Sequence, residues 1–392
     1  MKNNYDVVVV GGGPAGSMAA LQAAKGGASV CVLEKDRDIG YPVRCGEAAS
    51  ELGLRQFVEP KESWIAAKIS GAVIVSPDES KVDVKFANET GYILNRRIFD
   101  YDLSRYASNA GADIFTKAYV KQILKSDNSV KGVVFDHLGQ EKQINSKIVI
   151  GADGLTSRIG RWGGIRTQIR MKDMESCVQY SVSNVDIEPN KMVMYVGENF
   201  APGGYLWVFP KGDRFANIGI GISGKYSKHK SAKEYLDQFM KNKFPDASIL
   251  TTMCGGVPCP KPIRRPIKNG LMLVGDAAHQ VNPMTGGGIV SGMKGGWLAG
   301  QVAANAVYKG DFSEKTLEAY PVALRKDFGK NHERFYRIKE ATTALNVNDL
   351  NSIAENVLKI PYDKRTLASV FKAAVFRKPS LIIDVLKVFS GF

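Results

Sequence analysis

The stretch Gly11-Gly12-Gly13-Pro14-Ala15-Gly16 contains G-x-G-x-x-G, behind a β-branched run and ahead of an Ala-rich one. With that spacing a backbone cradles a pyrophosphate. Gly11 permits a tight turn, Gly13 lets the main chain approach the phosphates, and Gly16 lets the following helix pack closely. A helix opening at Pro14 presents free N–H groups and a positive dipole end to the anion. Glu34 stands 18 residues beyond Gly16, where a carboxylate accepts hydrogen bonds from the hydroxyls of an adenosine ribose. Its neighbour Lys35 is counted with the same cofactor contacts.

A second glycine-rich constellation lies downstream. "GADGLTSRIGR" (151–161) and "LMLVGDAAHQVNPMTGGG" (271–288) both follow apolar runs. Asp153 and the pair Gly275-Asp276 stand just past expected strand ends, and Gly286, Gly287 and Gly288 precede another helix. Asp276 is placed either to bind a polyol or to cap a helix. A nicotinamide dinucleotide needs one cradle. A flavin dinucleotide is long enough to need a second, for its ribityl and isoalloxazine parts, so the pair of segments points to FAD.

Two further stretches carry reactive or aromatic side chains. "YPVRCGEA" (41–48) sets Cys45 alone between an arginine and a glycine. A thiol there can donate a proton, exchange redox state with another cysteine, or pack as a small buried residue. Arg44 lowers the thiol pKa only if the two side chains meet. Tyr205, Trp207 and Phe209 alternate in "YLWVFPKG" (205–212) and so share one strand face. Three aromatics on one face either wall an apolar tunnel or belong to ordinary sheet core. Lys211 is in reach of a phosphate, and Arg264 and Arg265 face either solvent or a pyrophosphate.

These residues need elements to position them. "YDVVVV" (5–10) and "SVCVLEK" (29–35) read as buried parallel strands on either side of an Ala-rich helix. Residues 68–95 alternate apolar and polar like antiparallel strands, and "NRRIFDYDLSRYASNAG" has helical spacing. Residues 177–223 read as an antiparallel sheet and 231–243 as a helix. The resulting expectation is an α/β fold with interleaved parts. A discontinuous Rossmann-like FAD-binding domain takes residues 1–70, 92–160 and 262–308. An antiparallel-sheet substrate domain takes 71–91 and 161–261, and a helical C-terminal region takes 309–392.

At 392 residues, 44% hydrophobic and 23% charged, the chain is globular and long enough for two or three sub-domains. Its five cysteines, Cys31, Cys45, Cys177, Cys254 and Cys259, are odd in number and irregular in spacing, unlike a secreted disulfide framework. Cys31 reads as core. Cys254 and Cys259, as C-x4-C, complete no zinc site, though a redox pair with Cys45 stays open. The four histidines lack ligand spacing, so no metal is expected. Neither a signal peptide nor a membrane-spanning run is visible, which points to a cytoplasmic protein or one resting on the cytosolic face of a membrane. A net charge of +14 and pI of about 9.4 come without any nucleic-acid-binding signature. An acidic substrate, an anionic membrane or a generally basic surface accounts for them equally. The basic, apolar tail "RTLASVFKAAVFRKPSLIIDVLKVFSGF" suits either a membrane-surface helix or an ordinary packed helix pair.

The G-x-G-x-x-G, Asp153-Gly154 and Gly275-Asp276 segments, in this order, resemble the FAD-dependent monooxygenase-type superfamily with para-hydroxybenzoate hydroxylase architecture. Within it, "PVRCGE" (42–47), "RRIFD" (96–100) and Y-x-W-x-F-P-K-G (205–212) are most similar to the geranylgeranyl reductases, especially the archaeal digeranylgeranylglycerophospholipid reductases. The resemblance covers residues 5 to about 308. It implies non-covalent FAD and saturation of isoprenoid C=C bonds in archaeal-type membrane lipids. It also implies flavin contacts from Ala15, Glu34, Cys45, Gly46, Ala48, Arg96, Asp276, Gly288 and Ile289, with a backbone contact from Val120 at the adenine end. Pro14, Lys35, Arg44, Asp153, Gly286 and Gly287 complete the expected cofactor set.

An isolated alkene accepts a hydride only where water is excluded, the chain is oriented and a proton reaches the other carbon. Cys45 is the expected proton source, and Tyr205, Trp207 and Phe209 the expected prenyl contacts. The electron donor stays open among NAD(P)H, a ferredoxin and a deazaflavin coenzyme. Two other readings compete. An O2-using hydroxylase or halogenase of an aromatic substrate is one, although a halogenase carries W-x-W-x-I-P where this chain has Tyr205-x-Trp207-x-Phe209-Pro210. A flavin-bearing binding or electron-transfer module is the other.

Overall fold

A computed structural model describes residues 1–86, 90–376 and 379–389. The β-branched strand Asn4–Val10 lies at the centre of an eight-stranded sheet. It runs parallel to Gln140–Gly151 on one side, with Val9 opposite Ile150, and to Val30–Leu33 on the other, with Val9 opposite Val32. Leu271–Leu273 and Asp113–Phe115 extend the parallel core outward. The hairpin of Ala118–Ser126 and Ser129–His137 joins the far end of Gln140–Gly151 antiparallel.

Alternate residues of the central strands feed two cores. Val7, Val9, Ile148 and Ile150 pack beneath the helices Pro14–Lys25, Arg96–Asn109 and Ile289–Lys309. Val8, Val10, Val149 and Leu273 pack against Val120, Ile123, Val133 and Phe135 of the hairpin, which takes the place of a second helical layer. The helices Pro14–Lys25 and Ile289–Lys309 approach closely because their facing residues are small. A Cβ on Gly296 would lie 2.0 Å from the Ala15 carbonyl oxygen, and one on Gly300 2.4 Å from that of Ala19.

The second sheet has seven strands, in the order Ser248–Pro258, Met174–Ser183, Phe215–Ser223, Tyr205–Pro210, Lys191–Val196, Gly71–Val75, Lys81–Lys85. The helix Ala232–Lys243, opened by a Ser231–Glu234 capping box, covers one face with Leu236, Phe239 and Met240. The other face meets a three-stranded sheet of Ala48–Ser50, Gly91–Leu94 and Ile65–Ile69. One pairing departs from the expected antiparallel pattern: Lys191–Val196 runs parallel to Gly71–Val75. Alternating side chains report which face is buried, not the direction of the neighbouring strand. Lys81–Lys85 already occupies the antiparallel edge of Gly71–Val75.

The C-terminal helices close the molecule. Val347–Leu358 and Leu367–Val375 pack on Val82 and Val84 at the sheet edge. Ile338 of Lys330–Thr342 forms a small core with Val375, Leu381, Val385 and Val388, and Arg337 holds Asp384 through two 2.7 Å bonds. The tail is thus packed on one side, while Phe376, Ile383 and Leu386 face outward. Tail residues 377–378 and 390–392 lie outside the described residues. No described helix is long and apolar enough to cross a membrane.

Candidate active site

The first cradle is made of backbone. Gly11 has φ +105°, and a Cβ there would lie 2.3 Å from the Ala152 oxygen. A Cβ on Gly16 would lie 1.9 Å from the Gly11 oxygen, so the turn and the helix start leave no room for a side chain. Gly13, by contrast, faces open space, with nothing within 4 Å of a built Cβ. The helix begins at Pro14 with no side-chain cap, leaving its first-turn N–H groups for a ligand. Glu34 is held at the rim, accepting from the Gly12 N–H at 2.8 Å and the Asp36 N–H at 2.9 Å.

The second cradle meets the first. Gly275, at φ +63°, comes so close to Ala15 that their Cβ atoms would be 2.9 Å apart. A Cβ on Gly292 would be 3.6 Å from the Ala15 Cβ. The helix Ile289–Lys309 starts after Gly288, again with no side-chain cap. Two uncapped helix N-termini therefore converge around Ala15 and Gly275. Asp276 lies beside Gly288, 3.4 Å from where its Cβ would be. Its carboxylate caps no helix and makes no hydrogen bond or ion pair among the described residues, which removes the capping alternative. Burial raises its pKa and the Arg96 charge draws it back. Asp153 uses Oδ2 to accept from the Ile159 N–H at 3.1 Å, while its buried Oδ1 has no partner. Free helix N–H groups, the open space above Gly13 and two under-used carboxylates together fit the phosphates and hydroxyls of FAD.

Several residues of the expected set have side chains engaged elsewhere. The Lys35 ammonium pairs with Asp36 at 3.1 Å. Val120 packs in the core beneath the hairpin, though its strand begins where the Ala118 N–H donates to the Glu34 carbonyl at 2.8 Å. Ala48 packs in the interface of the three-stranded sheet, and Ile289 is buried at the start of its helix. Arg264 and Arg265 are on the surface, Arg265 pairing with Glu314 and Glu318.

The Cys45 loop and Asp276 share one charged neighbour, Arg96. The Cys45 carbonyl accepts from Gln179 Nε2 at 3.0 Å, and Gln179 Oε1 accepts from the Trp207 indole N–H, also at 3.0 Å. A Cβ on Gly46 would be 3.1 Å from the Phe209 ring. Burial raises the Cys45 thiol pKa, opposed by the charge of Arg96. The influential cation is therefore Arg96 rather than Arg44, whose Cβ and Cδ would lie 3.9 Å from a Cβ on Gly255. Arg96 is itself half-buried and gripped by Asp100 through bonds of 2.6 and 2.7 Å.

Glu47 organises this loop, and sequence reasoning did not single it out. It is 4% exposed with φ +69°. Its carboxylate accepts from Lys211 Nζ at 2.5 Å, Asn217 Nδ2 at 2.6 Å and the Arg96 N–H at 3.0 Å. Its own N–H donates to Cys45 Sγ at 3.2 Å. Lys211 is consequently held by Glu47 instead of standing ready for a phosphate. The one sequence signal was a carboxylate directly after Cys45-Gly46; its two side-chain partners, Lys211 and Asn217, are more than 160 residues away.

Tyr205, Trp207 and Phe209 do share a face, with successive ring centroids 5.9 and 6.2 Å apart. Cross-strand rows explain how they fit. Cys177, Gly221 and Tyr205 are aligned across three strands, as are Gln179, Gly219 and Trp207. A Cβ on Gly219 would be 2.4 Å from Trp207 Cζ2, so the glycine leaves the hollow in which the indole lies. Tyr205 donates its hydroxyl to the Thr285 carbonyl at 2.6 Å, tying the aromatic row to the Gly286–Gly288 turn. All five cysteines are free: Cys31 and Cys259 are buried, Cys254 is exposed.

Residues 173–257 match the family described as "geranylgeranyl reductase catalytic domain", and residues 6–50 match "FAD dependent oxidoreductase". A digeranylgeranylglycerophospholipid reductase from Methanocella arvoryzae is 41% identical over 389 residues, covering 98% of this chain and 99% of its own. Digeranylgeranylglycerophospholipid reductase 1 from Methanococcoides burtonii is 45% identical over 380 residues, covering 96% and 93%. The crystal structure of a geranylgeranyl bacteriochlorophyll reductase-like protein from Thermoplasma acidophilum superposes with a TM-score of 0.92 at 34% identity, covering 99% of this chain and all of that one. With near-complete coverage at such identity, and a flavin-binding N-terminus joined to a geranylgeranyl reductase sheet, the chain belongs to the digeranylgeranylglycerophospholipid reductase family of FAD-dependent oxidoreductases.

Proposed function

We propose that this protein is an FAD-dependent reductase that saturates C=C bonds in the geranylgeranyl chains of a digeranylgeranyl glycerophospholipid. The observation that carries the reading is the pair of uncapped helix N-termini around Ala15 and Gly275, joined to a Cys45-Gly46 loop that rests on the Trp207–Phe209 wall and shares the charge of Arg96 with Asp276. Reduced FAD, when bound, supplies the hydride for one alkene carbon. The chain's own residues do the rest. Gly11, Gly13, Gly16 and the first turn after Pro14 bind the pyrophosphate, Glu34 the ribose, and Asp276 with Gly286–Gly288 the ribityl and ring end. Tyr205, Trp207 and Phe209 exclude water and hold the prenyl chain. The raised thiol of Cys45 stays protonated at neutral pH and gives its proton to the second carbon. Arg96 stabilises the thiolate that remains.

Reducing equivalents come from an external donor. The lipid is met at a membrane surface, where the outward Phe376, Ile383 and Leu386 and a net charge of +14 favour an anionic bilayer. Co-sedimentation with anionic but not neutral vesicles checks that contact. The function is tested by mass spectrometry of dithionite-reduced holoenzyme incubated anaerobically with digeranylgeranylglyceryl phosphate. A gain of two hydrogen masses per double bond is expected. Unchanged lipid, with flavin that reoxidises only in air, turns the assignment toward oxygen chemistry. Cys45→Ala is expected to keep FAD and lose most turnover; unaltered turnover assigns the thiol to packing.

A further inference from the structure

Cys45 and Trp207 stand on separate elements, and one buried side chain joins them. Gln179 is 7% exposed and lies on Met174–Ser183, whose same face carries Glu175, Cys177 and Ser181. Its Nε2 donates to the Cys45 carbonyl at 3.0 Å, and its Oε1 accepts from the Trp207 indole N–H at 3.0 Å. A carbonyl only accepts and an indole N–H only donates, so one orientation of the amide satisfies both partners. Turned over, it would set donor against donor and acceptor against acceptor in a buried place.

The bond limits the loop on one side, and packing limits it on the other. A Cβ on Gly46 would be 3.6 Å from Trp207 Nε1 and 3.1 Å from the Phe209 ring, so the loop already rests on the wall. Withdrawal from the wall breaks the Gln179 bond. A second row repeats the arrangement one step along the strands. Gln179, Gly219 and Trp207 are aligned in the first row, and Ser181, Asn217 and Phe209 in the second. The Ser181 hydroxyl donates to Asn217 Oδ1 at 2.8 Å, which leaves Asn217 Nδ2 to grip Glu47 at 2.6 Å. Each row pairs an aromatic ring with an amide that holds the Cys45 loop. Of the two amides, Gln179 is the one that grips Cys45 itself.

We propose that Gln179 is a positioning residue that fixes Cys45 against the aromatic wall, so that a prenyl chain lying on Trp207 is protonated from one face only. The inference rests on the reductase reading. In each saturation the alkene π pair takes the Cys45 S–H proton at its CH carbon, because the methyl-bearing carbon better carries the positive charge that develops. A hydride from reduced FAD, with its two electrons, bonds to that methyl-bearing carbon. The flavin is left oxidised, and water reprotonates the thiolate. The two directions of approach decide whether addition is syn or anti. Gln179 therefore governs stereochemical outcome as well as rate.

The test runs dithionite-reduced holoenzyme on digeranylgeranylglyceryl phosphate in D2O, where thiol and flavin N–H exchange and both added hydrogens are deuterium. Deuterium NMR of the product reads the relative configuration of the two labelled carbons. The native enzyme is expected to give one configuration. In Gln179→Leu the loop is released, water becomes a second proton source, and the minor configuration rises at least about tenfold. Gln179→Glu separates positioning from a general structural fault. Its carboxylate accepts from Trp207 but has nothing to donate to Cys45, whereas the protonated carboxyl regains a donor. Mixed product at about pH 9 that returns to one configuration toward about pH 5 is expected. One configuration from Gln179→Leu, product from Gln179→Glu that does not change with pH, or mixed product from the native enzyme each overturns the proposal. A readout without substrate is iodoacetamide labelling of oxidised holoenzyme, comparing Cys45 with the exposed Cys254 by mass spectrometry. The ratio is expected to rise about tenfold in Gln179→Leu, as loss of one buried hydrogen bond allows, and an unchanged ratio overturns the proposal. Lipid left unreduced by native enzyme, while Gln179→Leu shows that rise, sinks the reductase reading instead.

Discussion

The cofactor cradle and the loop beside it are built by opposite means. The cradle is main chain and glycine: Gly11, Gly16, Gly275 and Gly296 touch backbone or methyl groups at distances no side chain tolerates. The Cys45 loop is held by side chains: Gln179 holds the Cys45 carbonyl, and Lys211 and Asn217 grip the loop's own Glu47. Backbone cradles depend on absence of bulk, so they fail through steric intrusion. Side-chain clamps depend on mutual satisfaction of buried charge, so they fail when one partner is removed.

Four substitutions or conditions separate the two. Glu47→Ala leaves Lys211 buried without its counter-charge and is expected to cost about 3–5 kcal/mol, read from urea unfolding, while the purified protein still carries FAD. Loss of FAD together with stability shows that cradle and clamp are one unit. Gly16→Ala is the mirror case. The methyl would press on the Gly11 oxygen, costing about 3 kcal/mol, and flavin absorbance after gel filtration is expected to vanish. The Glu175 carboxyl has a folded pKa near 7, above its ordinary 4.5. Its stabilising contribution is therefore fully present below about pH 4.5 and is lost as pH rises through about 7, a swing of up to ~3 kcal/mol. Glu175→Gln is expected to remove that slope from the stability–pH curve; an unchanged slope means the carboxyl titrates normally. Trp207→Phe removes the indole N–H to Gln179 and empties part of the hollow that Gly219 leaves, and is expected to cost about 2 kcal/mol. A thermal midpoint that does not move assigns the Gln179 bridge no stabilising share.

The same contrast explains what could be read from residue order. Gly11–Gly16, Glu34 and Gly275-Asp276 each stand at a strand end followed by a turn, and such local signals need no knowledge of distant partners. The period-2 spacing of Tyr205, Trp207 and Phe209 likewise gave their common face. Glu47 could not be found that way, because its value lies in being opposite Asn217 and Lys211. That adjacency exists only after several strands have taken their register. Lys211 looked free for a phosphate because its partner was hidden in the same way. Arg44 looked important because it is adjacent in sequence, whereas Arg96, 51 positions from Cys45, carries the relevant charge. The parallel pairing of Lys191–Val196 with Gly71–Val75 escaped because alternation does not encode direction.

The strand Leu271–Leu273 is short, but it sits beside Gln140–Gly151 near the middle of the large sheet. During synthesis the chain from Asn4 onward must wait for it, and the seven-stranded sheet must likewise join residues 71–85 to strands ending at Pro258. Neither sheet can close until about two thirds of the polypeptide has left the ribosome. Such distant pairings slow folding and leave strand edges open meanwhile. The interleaving that brings both cradles to one ligand thus makes maturation a late, nearly all-at-once event, and a nascent chain arrested before residue 271 would display unpaired edges to every neighbour it meets.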